Sequence, residues 1–338
     1  TLNLLGGTIN QAYGGTNNNG YITGLIQVNV LDTVHNCGLG INDVYGGGRL
    51  PTYTPTFGTG ERIAPEVNVI HGIVNNAVFG GGWGAPVNGA SPKVTIGDNV
   101  SEHRAIVGSN LNGTTTPGYG IVFGGGDVAN VDGNTLVIYD DNNSNSQVNF
   151  IFGGGNQAGI GGNIVVNMNQ GRVIDTIFGG CNVTGDVGGK IEVTVNGGTS
   201  GTVIGGGNLA AYSAPSATPD YPYVHIVDGT VTGSVIGGGN KASVTGNPKV
   251  QITGGTVADK VVGGRNEAGV AGNPYVFVEG GTIGTSTEAG AGVYGVCNIT
   301  GEVTGNTNVT LVGGTIGESE TNTANIHGGG YGQPTNVT

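Results

Sequence analysis

The chain has 338 residues, 73 of them glycine, with 10 Lys+Arg against 22 Asp+Glu and a formal net charge of −12. Only 9% of residues are charged, so there is no basic stripe of the kind that binds nucleic acid, and no apolar run nears the roughly 18 residues of a membrane helix. The 36% apolar content and the regular placement of Val and Ile argue against the disorder that so much glycine otherwise invites.

The chain opens on "TLNLLGG" without an initiator Met, and its only methionine is Met168. This start lacks a charged region followed by an apolar stretch. A leader is therefore expected to be absent or already removed, and the chain to be a segment of a longer protein. Cys37, Cys181 and Cys297 are odd in number and far apart, which is neither a disulfide framework nor a zinc spacing. Cys181 and Cys297 are expected to be free, structural thiols.

In chain order, one phrase keeps returning: an apolar pair, a glycine run, then a polar residue. Marking the residue before each glycine run gives Tyr13, Tyr45, Phe79, Phe123, Phe152, Phe178, Ile204, Ile236, Val262, Tyr294 and His327. The shortest interval is 26 residues, as from Ile236 to Val262; longer intervals read as the same unit plus an insertion. Each unit holds three short extended pieces. In the unit at Val235 these are the marked stretch, a piece through Val244 before a Gly-Asn corner, and an alternating piece, Val250-Gln251-Ile252-Thr253, followed by Gly-Gly-Thr. Period-2 alternation of β-branched residues is strand chemistry, and nothing has helical spacing.

Three short strands cannot bury their apolar faces alone, but unit stacked on unit buries them. The expected fold is all-β: a right-handed parallel β-helix, one domain over residues 1–338, with about eleven three-strand coils at about 4.8 Å per coil. The glycines are expected to supply positive φ at tight corners.

Stacking turns the sequence into columns. Four residues after each mark stand Asn156, Asn182, Asn208, Asn240, Asn266 and Asn298, six coils in succession, with Asn17 earlier. This reads as a structural asparagine ladder, with a repeated ligand site as the alternative. The sequons at Asn182 and Asn298 read as ladder positions. Coils two to four carry Arg49, Trp83 and Asp127 instead: an aromatic platform between a cation and a carboxylate, as in many sugar sites, or a solvent-facing corner that tolerates anything.

Two insertions, "LPTYTPTFGTGERIA" and "AYSAPSATPDYPY", put Tyr53, Phe57, Tyr212, Tyr221 and Tyr223 on loops, where recognition resides; covering the coil is their alternative role. Asp140 and Asp141 head an oxygen-rich turn that is a candidate calcium site, with a solvated turn as the alternative. No other cofactor is expected. The outward column of the alternating strand reads Asn68, Thr95, Val137, Asn167, Thr194, His225, Gln251, Phe277 and Thr310, too mixed for an ice-binding array of threonines. The nonapeptides of calcium-binding β-rolls are absent.

The phrases "VFGGG", "IFGGGNQAGI" and "VIGGGNKASVTGN" resemble long, glycine-rich β-solenoid repeat proteins of bacterial surfaces, adhesin-like proteins of gut Bacteroidetes in particular. The resemblance implies a secreted or cell-surface location, and a structural or adhesive role presenting loops to a glycan or a host or cell-surface protein. It carries no catalytic motif. The alternative is a carbohydrate-active β-helix, a polysaccharide lyase or glycoside hydrolase acting near coils two to four.

Overall fold

A computed structural model describes residues 1–32, 39–56, 63–108, 120–287, 290–317 and 324–331. Among these the chain is all-β with no helix, and so none long and apolar enough to cross a membrane. Every pairing between named strands is parallel, and each joins one repeat to the next. The alternating strands form one ladder from Leu2–Leu4 to Asn308–Leu311. The marked strands form a second from Gly7–Tyr13 to Asn325–His327. A third, shorter set contains Tyr212–Ser213, Val244–Thr245 and Val270–Ala271, and continues elsewhere as single bridges through Tyr53, Val87, Val131, Ile160 and Val187.

Parallel in-register pairing places like above like. Val28, Val67, Val94 and Val137 follow one another down the first ladder; Val44, Val78, Val122 and Ile151 follow down the second. All are fully buried in one core cluster that runs along the stack. Burying a Val or Ile side chain is worth about 1.5–3 kcal/mol, and the same solution is reused in each repeat. All eleven marks are partners of one another, from Tyr13↔Tyr45 to Tyr294↔His327.

Two expectations need correction. Val137 does not belong to the outward column. Ile138 pairs with Thr95 and Asn167, and Val137 lies in the core. The glycines are of two kinds. Gly255 and Gly281, second in their Gly-Gly-Thr turns, do have positive φ, at 72° and 80°. The glycines after the marks do not. There a side chain is excluded by the next coil: a Cβ on Gly46 would collide with the carbonyl oxygen of Gly80, and one on Gly80 with that of Gly124.

Candidate functional site

The sharp corner after each marked strand builds a surface from two columns. The mark side chains point away from the main core and form a second apolar cluster. Their rings stack nearly parallel: Tyr13 on Tyr45 at 4.8 Å, Tyr45 on Phe79 at 4.7 Å, Phe79 on Phe123 at 4.7 Å, Phe123 on Phe152 at 5.2 Å and Phe152 on Phe178 at 4.6 Å. Strand spacing sets these separations. Ile204, Ile236, Val262 and Tyr294 continue the cluster.

Beside it runs the asparagine column. Asn298, Asn266, Asn240, Asn208 and Asn182 each donate Nδ2–H to the Oδ1 of the asparagine one coil earlier, at 2.7–2.9 Å. Asn156 donates to Asp127 Oδ1 at 2.8 Å. The amides therefore align head to tail, and their positive ends point toward a carboxylate. Each amide keeps one N–H outside the ladder. A groove of about 320 Å³ lies between Asn182, Asn208 and Asn240 on one side and Phe150, Asp175 and Thr176 on the other.

The structure brings Arg49, Trp83 and Asp127 onto successive coils. Arg49 N donates to Thr16 O, Trp83 N to Gly48 O and Asp127 N to Gly82 O, at 2.8, 3.1 and 3.0 Å. The Arg49 guanidinium sits 5.3 Å from the Trp83 ring centroid, close enough for a cation–π contact, and its Nη1 donates to Asn18 Oδ1 at 3.1 Å. Trp83 is half-buried against the ring column. Two neighbours escaped the sequence reading. Burial raises the Tyr13 hydroxyl above its ordinary value, while the Arg49 charge opposes that rise. Burial likewise raises the Asp43 carboxyl, opposed by hydrogen bonds from Gln11 and Asn76, with the Asp127 charge adding to the rise. Asp43 stands two residues before its mark, on the same outward side of the strand; that offset was the available signal.

The loop tyrosines divide. Tyr53 and Tyr212 are not surface residues: each is 3% exposed and belongs to the main core. Tyr53 donates its hydroxyl to Gly24 O at 2.9 Å and Tyr212 to Gly189 O at 3.0 Å. Both occupy the third-strand position that valine or isoleucine fills in other coils, the coil-covering place that was the alternative to a binding role. Tyr221 is half-buried, donates to Glu192 Oε1 at 3.1 Å and lies 5.1 Å under the Lys190 ammonium. Tyr223 donates to Gln251 Oε1 at 2.7 Å and lies under Lys249. Phe57 falls outside the described residues.

Asp140 and Asp141 do not converge on a cation. Asp140 ends the strand Thr135–Asp140 half-buried, and Asp141 opens the turn that follows. Asp141 is buried, with Oδ1 accepting from Asn143 N at 2.9 Å and Oδ2 from Ala105 N at 3.2 Å, whereas Asp140 Oδ2 accepts from Asn169 Nδ2 at 3.4 Å. Among the described residues no group of three or more His, Cys, Asp or Glu is placed to hold a metal ion. Cys181 and Cys297 are buried thiols; burial pushes the Cys181 thiol up to about 11.

No protein-family model, curated protein or solved structure matches the chain.

Proposed function

We propose that the chain winds as a right-handed parallel β-helix and serves as a secreted or cell-surface structural and adhesive solenoid, like the glycine-rich surface repeat proteins it resembles. The right hand follows from the strong preference of parallel crossovers for it. Its partner is a glycan or a cell-surface protein, engaged at coils two to four. One observation carries this reading. The asparagine column is interrupted by Arg49 and Trp83 in cation–π contact, both half-buried over a stack of rings, with Asp127 on the next coil. A stacking face beside a cation and a carboxylate is suited to a sugar ring. The test is a glycan array followed by affinity measurement with Trp83→Ala. Loss of a central aromatic anchor should weaken binding at least about 30-fold; unchanged affinity would refute the site.

A second reading has one observation in its favour. Burial raises the Asp43 carboxyl and the Asp127 charge adds to the rise, and a glycosidase uses a raised carboxyl as its general acid beside a second carboxyl. Release of reducing ends from a polysaccharide panel, abolished by Asp43→Asn, supports catalysis; no release removes it.

A further inference from the structure

A polar cleft lies on a different corner, where the alternating strand hands over to the marked strand. That connection changes length abruptly from coil to coil. Between Thr135–Asp140 and Gln147–Phe152 it is a turn over residues 141–146. In the next coil Ile164–Gln170 and Arg172–Phe178 are joined by Gly171 alone, at φ 115°. The long turn therefore overhangs the short one. The overhang is held in place: Asp141 is fixed as above, Asn143 Nδ2 donates to Ser101 O at 2.6 Å, and Asn142 Nδ2 donates to Asn99 O at 3.2 Å. Below it opens a cleft of about 570 Å³, within the size range of small-molecule sites.

No aromatic or aliphatic side chain lines this cleft; its walls are amide, hydroxyl, carboxyl, guanidinium and glycine. Asn196 Nδ2 donates to Asn169 Oδ1 at 3.0 Å, and Asn169 in turn to Asp140, so each amide is oriented yet keeps one N–H free. Arg172 is exposed and has no salt-bridge partner among the described residues. Asp228, also exposed, spends Oδ1 on its own Gly229 N–H and keeps Oδ2. Preset donors and acceptors thus share the lining of the cleft. The exposed charges, Arg172 and Asp228, offset one another.

We propose that this cleft is a binding site for a short stretch of neutral saccharide. A hydroxyl both donates and accepts, so a run of sugar hydroxyls satisfies Asn196, Arg172 and Asp228 together, whereas a phosphate or uronate meets Asp228 and an amine meets Arg172. The rigid turn keeps the ordering cost of binding low. The site is independent of the Arg49–Trp83 patch.

The test is calorimetric titration of the full chain with neutral hexasaccharides from β-glucan, xylan and mannan, beside uronate-bearing and sialylated oligosaccharides. Arg172→Ala and Asp228→Ala are exposed changes, and unaltered melting temperatures confirm that both variants fold. At least one neutral hexasaccharide should bind, each variant should weaken it at least about tenfold, and Trp83→Ala should leave it unchanged. The proposal is overturned if no neutral hexasaccharide binds, if only anionic ones bind, or if both variants retain full affinity. Loss with Trp83→Ala alone would assign the sugar to the other patch and equally overturn this one.

Discussion

Asn156 donates its side-chain N–H to the Asp127 carboxylate at 2.8 Å, and this bond sets the direction of the five above it. An ionised carboxylate only accepts. Asn156 must therefore turn its NH₂ toward Asp127 and its oxygen toward Asn182, and each later amide follows in turn. Two other ladders end the same way, with Asn169 on Asp140 and Asn247 on Asp220.

The ladder predicts unequal costs at one position. Asn208 both donates to Asn182 and accepts from Asn240. Asn208→Ala removes both bonds and should cost about 1–3 kcal/mol. Asn208→Asp keeps the shape but turns a carboxylate on the Asn182 oxygen, and should cost more at pH 7 than at pH 3. Denaturant unfolding of both variants reads the difference; equal losses at the two pH values would contradict an oriented ladder.

Asp43 gives a pH signature. Burial raises its carboxyl above the ordinary 3.8, so the folded chain holds that proton more tightly than the unfolded chain. Its contribution to stability therefore falls as pH rises from about 4 through the folded value. Asp43→Asn should raise the melting temperature at pH 7, with the gain vanishing below the ordinary carboxylate range. A gain that persists at pH 3 would contradict this origin.

Arg265 stands where the corner is glycine in seven other coils, at Gly48, Gly82, Gly126, Gly155, Gly207, Gly239 and Gly330. It is 2% exposed, and its Nε and Nη2 have no hydrogen-bond partner among the described residues. Arg265→Gly removes a buried cation with unmet donors, and the stability gain should be about 1–3 kcal/mol. Urea unfolding tests this, and a loss of stability would show that the guanidinium is satisfied in solution.

Cys181 and Cys297 are fully buried and so out of reach of a bulky reagent, and the Cys181 thiol, held up to about 11, yields little thiolate at neutral pH. In a Cys37→Ser background, the native chain should release no thiol to an aromatic disulfide reagent at pH 7.5, and two equivalents in guanidinium. Release of two equivalents from the native chain would place those corners in solvent.

The stack itself was legible, because the glycine phrase fixes one position per coil and parallel pairing carries it to the next. The phase of a strand was legible only where polar and apolar residues alternate. Leu136, Val137, Ile138 and Tyr139 are all apolar, so nothing local told Val137 from Ile138; only pairing with Thr95 and Asn167 settles it. Tyr53 and Tyr212 were misplaced for a different reason. Proline-rich surroundings suggested a loop, yet each lies eight residues after its mark, the offset of Val87, Val131, Ile160, Val244 and Val270. At the patch, the neighbours Arg49, Trp83 and Asp127 could be listed from spacing, but the Arg49–Trp83 contact depends on side-chain direction. The polar cleft was not legible at all, since it arises from a difference in turn length between adjacent coils.

Everything rests on equivalent residues lying one strand spacing apart, coil after coil. Asn68, Thr194 and Thr310 are members of one outward column, each four pairings from the next. Spin labels placed pairwise at these positions and measured by pulsed dipolar spectroscopy should give about 19 Å for each half and about 38 Å for the whole. Halves of unequal length, or a whole that is not their sum, would contradict the parallel stack.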